Sequence, residues 1–321
     1  MKRLFRFCYL FGWLLGGFLT LATAWAQCCS PGNPIGGAVN PGVNPEGSWQ
    51  LFLGYRYGYA GRYFRGSEPI ASGAVQSGEF QHLSLAVTYG LAERLTIEAE
   101  TGYFLEKSQR YAPGLIPAQQ TGRGFTDLNL LARVNLWQDA ARGWELTTGV
   151  GLKLPLGPYQ QQVDGILLPR DLQPSTGSVD FLHTVFLQKA FLPRKFRLFF
   201  LSRLEWKGQT PDQYRHGHFL ALGAFFSYSP HLRWTLVAQL RGEWRGRDTR
   251  PFTGGGIPIG QGREVVPPTG SQKLFFSPQV GHQLSPTLQL TLLGDLPLYQ
   301  YYFASQLGSN WGLWVNVNQR F

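Results

Sequence analysis

The chain has 321 residues, with 29 Lys or Arg, 19 Asp or Glu and a net charge of +10. Charged residues make up only 15% and aromatic ones 15%, the reverse of a disordered chain, which is charge-rich and aromatic-poor. Mean hydropathy is −0.15, and only one apolar run, near the N-terminus, approaches the roughly 20 residues of a membrane-crossing helix. That excludes a multi-span helical membrane protein. Three Cys are too few for a disulfide scaffold, and the 40 Gly follow no collagen period. A Gly- and aromatic-rich β-protein remains, and large β-barrels of this length run as one domain.

Lys2, Arg3 and Arg6 precede an apolar stretch over 7–23, which ends in Ala24-Trp25-Ala26. This order of basic, apolar and small-x-small segments predicts a secretory signal peptide over 1–26. A retained anchor is the competing reading. Cys8 leaves with the signal, so the adjacent Cys28 and Cys29 remain. Trp25-Ala26-Gln27 is a poor lipobox for modifying Cys28. An oxidising compartment favours a disulfide, but neighbouring cysteines bridge only through a distorted peptide. Soft-metal capture by two thiolates is conceivable; a tail with incidental or interchain thiols is the plainer reading. Residues 27–47 are rich in Pro and Gly and predict a periplasmic tail without helix or strand.

From residue 48 the hydrophobic period is two. Trp49, Leu51, Leu53, Tyr55, Tyr57 and Tyr59 alternate with Gln50, Phe52, Gly54, Arg56 and Gly58. The same alternation predicts twelve strands near 48–60, 79–90, 94–106, 124–138, 143–155, 176–191, 195–207, 217–229, 231–247, 272–285, 287–300 and 310–321. Their connections alternate in length. Short ones fall at 91–93, 139–142, 192–194, 230 and 286; long ones fall near 61–78, 107–123, 156–175, 208–216, 248–271 and 301–309.

Sorting of loops by parity is the mark of outer-membrane barrels, with short periplasmic turns, long external loops and both termini inside. One strand face repeats charges, as in Arg197, Arg203 and Glu205, or Arg241, Glu243 and Arg245. A water-soluble barrel or sandwich would bury its apolar face instead. Aromatics on the outward register gather near both ends of the strands: Trp137, Trp144, Phe196, Tyr228 and Trp234 by the short turns, Tyr59, Tyr103, Trp206, Trp244, Tyr299 and Trp311 by the long loops. Two such girdles suit two interfaces. The last strand alternates outward up to Phe321, resembling the C-terminal signal read by the outer-membrane insertion machinery. The expected fold is therefore an all-β, antiparallel up-and-down transmembrane barrel of twelve strands over 48–321.

Several phrases resemble the family called MetA-pathway of phenol degradation, an outer-membrane "transporter" family. Tyr89-Gly90-Leu91 with Arg94-Leu95 is similar to its YGL-xx-RL turn. Gly124-Phe125-Thr126-Asp127-Leu128 resembles GxGD-L, with Thr126 replacing the second Gly. Gly151-Leu152-Lys153-Leu154-Pro155-Leu156-Gly157 resembles GLKLPTG, with Leu156 for Thr, and Thr176-Gly177-Ser178-Val179-Asp180 resembles TGSxD. Ser277-Pro278 and Leu296-Pro297-Leu298-Tyr299 match its last strands. The resemblance runs over about 48–321 and implies an outer-membrane barrel linked to uptake of aromatic or other hydrophobic compounds.

The lumen-facing candidates are acidic Glu98, Glu100, Asp127, Glu145, Asp180, Glu205, Glu243 and Asp295, and basic Arg56, Arg133, Lys153, Arg197, Arg203, Arg233, Arg241 and Arg320. They could discriminate permeants by charge or pair into ladders that fill the barrel, because an isolated buried charge costs several kcal/mol. His82-Leu83-Ser84 is the one His-x-Ser pair of the kind that activates a hydroxyl nucleophile. Its register points it into the lumen, away from lipid, and the Ser-Asn-Gly continuation of barrel phospholipases is missing. His216, His218 and Asp212 read as a solvated loop group sooner than as metal ligands. Basic loops at 62–65 and 245–263 could touch anionic lipopolysaccharide, or could simply keep the loops soluble. Tyr63-Phe64 and Tyr301-Tyr302-Phe303 could greet a hydrophobic permeant, or serve as girdle residues.

The expected function is passive passage or uptake of small molecules through a bacterial outer-membrane channel, without enzymatic activity, cofactor or metal. The expected partners are outer-membrane lipid and lipopolysaccharide, the insertion machinery and a small permeant, with no nucleic acid. A structural or surface-interaction barrel with a closed lumen is the alternative, and a barrel hydrolase a more distant one.

Overall fold

The computed structural model describes residues 42–71, 75–114, 117–191, 195–252, 262–267 and 269–321. The expected signal peptide, Cys28, Cys29, tail residues 27–41 and the turn at 192–194 lie outside the described residues. Strands β1 (Trp49–Gly66), β2 (Glu68–Ile70), β3 (Val75–Ala92), β4 (Leu95–Tyr111), β5 (Gln119–Phe125) and β6 (Leu128–Asp139) come first. Then follow β7 (Trp144–Leu154), β8 (Gln162–Val163), β9 (Ile166–Leu167), β10 (Asp180–Phe191), β11 (Phe196–Trp206) and β12 (Phe219–His231). The last are β13 (Trp234–Arg245), β14 (Thr249–Pro251), β15 (Arg263–Val265), β16 (Ser271–Gln283) and β17 (Leu288–Arg320).

Eleven of these close an antiparallel ring, in the order β1, β3, β4, β6, β7, β10, β11, β12, β13, β16, β17, and β17 pairs back onto β1. Strands β2 and β5 add to its loop end by pairing with β1 and β4. The small hairpins β8–β9 and β14–β15 stand apart in loops. At its 33 residues, β17 would measure about 110 Å if straight, several times the thickness of a bilayer core. It folds back on itself instead. The Arg320 amide donates to Thr287 O at 2.9 Å, and the Ser309 amide donates to Gln300 Oε1 at 2.8 Å. The eleven-membered ring therefore makes twelve passes, and β17 supplies both of the strands expected over 287–300 and 310–321. An even number of passes returns the chain to the rim where it began. Trp49 and Phe321 exchange backbone hydrogen bonds of 3.3 and 2.9 Å there.

Alternation decides which side chains face in. On β1, Phe52 is 1% exposed and its neighbour Leu53 50%. On β11, Phe199, Leu201, Arg203 and Glu205 are buried while Phe196, Leu198, Phe200 and Trp206 are exposed. The apolar set thus forms the outer wall of a closed sheet, which only lipid can cover favourably. The girdle aromatics Trp137, Trp234, Trp206, Trp244, Tyr299 and Trp311 are all exposed on that wall.

Several boundaries differ from expectation. Residues 301–309 and much of 61–78 are strand, because the β1 and β17 ladder continues past Tyr59 to the hairpin tip. The expected strand 124–138 is split into β5 and β6 at Thr126-Asp127, where Gly124 takes φ +141. The expected strand 176–191 begins at Asp180, since Thr176 and Ser178 bind carboxylates instead of a ladder. Pro230 is no turn but lies within β12 at a register shift between Tyr228 and His231, the position a residue without an N–H tolerates.

The lumen is also less uniformly polar than the charge repeats suggest. Phe186, Phe199, Leu201, Phe225 and Val237 form a buried cluster on its short-turn half. The rings of Phe199 and Phe225 stack with centroids 4.3 Å apart. Part of the barrel's interior therefore packs as a core.

Candidate functional site

Three layers fill the barrel from one mouth to the other. At the short-turn mouth, residues 42–47 of the tail turn inward. The Asn44 amide donates to Thr96 Oγ1 at 2.7 Å, and its Nδ2 donates to Thr88 Oγ1 at 2.6 Å. Gly47 N donates to Gly90 O at 2.8 Å, and the Val43 backbone reaches Glu145. Asn44 is 4% exposed, so the tail seals part of this rim.

The middle layer is a network of charges. Glu98 pairs with Arg133 at 3.0 Å. Glu100 on β4 meets Arg203 on β11 at 3.6 Å, with three strands of the ring between them. Arg203 also binds Glu205 at 2.9 Å, and Glu205 receives Lys153 at 3.3 Å and Lys207 at 2.5 Å. Across the barrel, Arg241 holds Asp295 through two hydrogen bonds of 3.1 and 2.9 Å and Glu243 at 2.9 Å. Ser277 adds a hydrogen bond to Asp295. Arg56 lies 3.8 Å from Asp295 and over the Trp314 ring at 4.0 Å. Charges buried in this way persist only when mutually paired.

The loop between β7 and β10 closes over this layer. Asp127 accepts from Ser175 Oγ at 2.5 Å, from Thr176 Oγ1 at 2.8 Å and from the Thr176 amide at 3.1 Å, and pairs with Lys153 at 3.3 Å. Asp180 accepts from Ser178 Oγ at 2.7 Å, Gly208 N at 3.0 Å and Lys207 Nζ at 2.9 Å. The two acidic residues in the GFTDL and TGSVD phrases therefore both hold the return of this loop, Asp127 at 175–176 and Asp180 at 178. Between them Gln173 donates to Leu168 O at 2.9 Å and accepts from Gln161 N at 2.8 Å. Leu168 and Leu172 are buried beneath, and a 3-10 turn over Arg170–Leu172 sits in the mouth.

Under that turn lies a cavity of about 690 Å³, within the size range of small-molecule sites. Arg56, Lys107, Arg245 and Lys273 line it with Glu79, Asp171, Glu243 and Asp295; its apolar wall includes Phe80, Phe104, Phe219 and Phe275. Of the expected lumen residues, Arg56, Glu243 and Asp295 line this cavity. Arg197 and Arg320 sit half-buried near the short-turn rim, and Glu145 accepts from Gln188 Nε2 at 2.7 Å. Arg233 is the correction. It occupies the exposed two-residue turn that joins His231 to Trp234, so it projects from the end of the barrel and not from its wall.

Lys107 and Lys207 were not among the expected lumen residues. Both fall at or beyond a predicted strand end. A register shift near Phe104 brings Lys107 opposite Phe80 on the inner face, against the simple alternation from Glu98 and Glu100. No single-residue signal marks such a bulge. Lys273 is likewise absent from the expected set, although it lies on the inward register of a predicted strand, opposite Glu243. His82 lines the cavity and packs against Phe104 with ring centroids 4.8 Å apart, whereas Ser84 Oγ contacts Gly54 O at 3.5 Å.

On the outer loops, Asp212 binds Arg170 and accepts from Thr210 Oγ1 at 2.5 Å. His216 Nδ1 lies 3.5 Å from Asp248, while His218 Nδ1 accepts from Lys207 N at 3.0 Å. The three therefore point at different partners. Tyr214 Oη donates to Asp248 at 2.6 Å. Burial raises the Asp248 carboxyl, but hydrogen bonds from His216, Tyr214 and Gly217 outweigh it and hold the group below the usual range. Burial and the same Asp248 contact push the Tyr214 phenol up.

No family model and no curated protein matches the sequence. Among solved structures the chain is similar to the COG4313 outer membrane channel from Pseudomonas putida F1, at 14% identity and a TM-score of 0.64. That match covers 87% of this chain and 97% of the other. The KdgM porin (7% identity, TM-score 0.42) and the NanC porin (9% identity, TM-score 0.45) each match over 84% of this chain, with 99% and 98% of their own lengths covered. The ring closure, the apolar outer wall and the first of these likenesses agree on the fold, which is that of an outer-membrane β-barrel.

Proposed function

We propose that this chain is a channel of the bacterial outer membrane that takes small, partly apolar solutes into its loop-side cavity and passes them without chemical conversion. The observation that carries the reading is the cavity itself, a loop-side chamber with aromatic and charged walls inside a barrel whose outside suits lipid. Below it, the Glu100–Arg203 contact and the tail at Asn44 narrow the route, so passage is slow and selective, unlike that of an open general porin. The resemblance to the phenol-degradation family supports aromatic or hydrophobic solutes. The short-turn rim and both chain ends would then face the periplasm after cleavage of the signal peptide. The basic outer loops, with Arg215, Arg250 and Arg263, would meet lipopolysaccharide.

The closed layer favours a second reading, a structural barrel whose loops matter and whose lumen conducts nothing. A catalytic reading is less well supported, since His82 packs against Phe104 and Ser84 is turned to Gly54. Single-channel recording of refolded protein in a planar bilayer separates the first two. Small, defined current steps are expected of the channel; silence from protein with heat-modifiable gel migration favours the structural barrel.

A further inference from the structure

Most charges around the loop-side cavity are already committed to partners. Arg241 bonds both Asp295 and Glu243, and Glu79 accepts from Tyr57 Oη at 2.7 Å. The two lysines differ. Lys107 Nζ donates to the Gln173 carbonyl at 3.1 Å and lies 5.0 Å over the Phe104 ring. Lys273 Nζ reaches Ser309 Oγ at 3.5 Å and lies 5.3 Å over Tyr302. Among the described residues no carboxylate comes within 4.0 Å of either ammonium group. Asp171 attracts Lys107 from the loop turn without forming an ion pair. Arg245 stands over Phe219 at 5.7 Å, and among the described residues it forms no ion pair within 4.0 Å. An ammonium group has three donors, and each of these lysines uses one on a neutral oxygen.

The remaining wall is aromatic. Phe80 and Phe104 meet edge to face at 6.1 Å, and Phe275 packs below the Arg241 guanidinium at 4.6 Å. Cations with spare donors beside aromatic walls, in one concave chamber, match a ligand with one anionic end and an aromatic body. We propose that the cavity is a binding site for small aromatic carboxylates, the carboxylate received by Lys107 and Lys273 and the ring by Phe80, Phe104 and Phe275. This names the solute class of the channel proposed above and rests on that reading for its role in passage, although the binding itself does not require conduction.

Equilibrium dialysis of refolded full-length protein in detergent tests the site, with labelled benzoate, benzyl alcohol and benzylamine as probes. Benzoate is expected to bind about tenfold or more tightly than benzyl alcohol, the size of effect charge-assisted hydrogen bonds give, and benzylamine more weakly still. Lys107→Met with Lys273→Met should bring benzoate to the benzyl alcohol level and leave benzyl alcohol unchanged. Lys273→Arg, which keeps the charge, should retain the preference; it and the single Met variants serve if the double variant does not fold. Equal binding of benzoate and benzyl alcohol overturns the proposal, as does undiminished benzoate binding by folded Met variants. Benzoate binding by a protein that is silent in bilayers would sink the channel reading and leave the site standing.

Discussion

Glu100 and Arg203 stand on strands separated by three others in the ring, yet their side chains meet at 3.6 Å. This chord spans the lumen, and each partner is anchored a second time, Glu100 by Asn129 at 3.1 Å and Arg203 by Glu205 at 2.9 Å. Glu100→Gln removes one end of the chord while Glu205 still neutralises Arg203. The barrel should fold, and liposome swelling with small neutral solutes should be faster than for the wild type. Arg203→Met leaves both Glu100 and Glu205 without this partner and should destabilise the barrel by about 3–5 kcal/mol, read by urea unfolding in vesicles.

Asp127 holds the loop return through Ser175 and Thr176. Asp127→Ala removes three acceptor contacts and leaves Lys153 with Glu205 alone. A loss of about 1–3 kcal/mol is expected from the orphaned donors. The measurable sign is proteolysis within 156–179 on intact vesicles, where the wild type should resist.

The outer wall makes a prediction of opposite character. Leu53 faces outward on β1 between Trp49 and Tyr59, 50% exposed, while Phe52 is buried inside. Leu53→Arg places a charge against lipid and should cost about 2–4 kcal/mol if near the midplane. The same protein in a soluble setting would lose almost nothing, so unfolding in vesicles discriminates a lipid-facing wall from a wet one.

On the loops, the Asp248 carboxylate is held below its unfolded value by His216 and Tyr214. Its contribution to stability is therefore complete above the unfolded pKa of about 3.9, and is lost as pH falls through the lower folded value. Acidification below about pH 4 should loosen the Tyr214–Asp248 contact. Tyr214 fluorescence is masked by the tryptophans, so proteolysis over 208–218 is the readout, and Asp248→Asn should remove the pH dependence.

Much of the barrel was legible because the period of two carries the inside-out decision at each strand. Trp49 to Tyr59 and Phe196 to Trp206 state it in their own residues. The hairpin within β17 was visible as two alternating segments, but its tight tip was not, because residues 301–309 carry loop-like composition and are held by pairing with β1. Asp127 and Asp180 stood out through family phrases; that both serve one loop return depends on contacts 48 or 49 residues away, such as Ser175 and Thr176 on Asp127. Lys107 was hidden by a bulge that reverses its face. The inward cluster of Phe186, Phe199 and Phe225 was hidden for a different reason. Alternation distinguishes two faces, but it does not say how tightly a narrow lumen is packed.

Planar-bilayer recording of refolded wild-type protein, with ion selectivity measured and folding confirmed by heat-modifiable migration, tests the central claim most directly. The account predicts small, defined current steps, reduced when benzoate is added on the loop side. Complete silence from folded protein, with no steps restored by Glu100→Gln or by removal of residues 27–47, would contradict it.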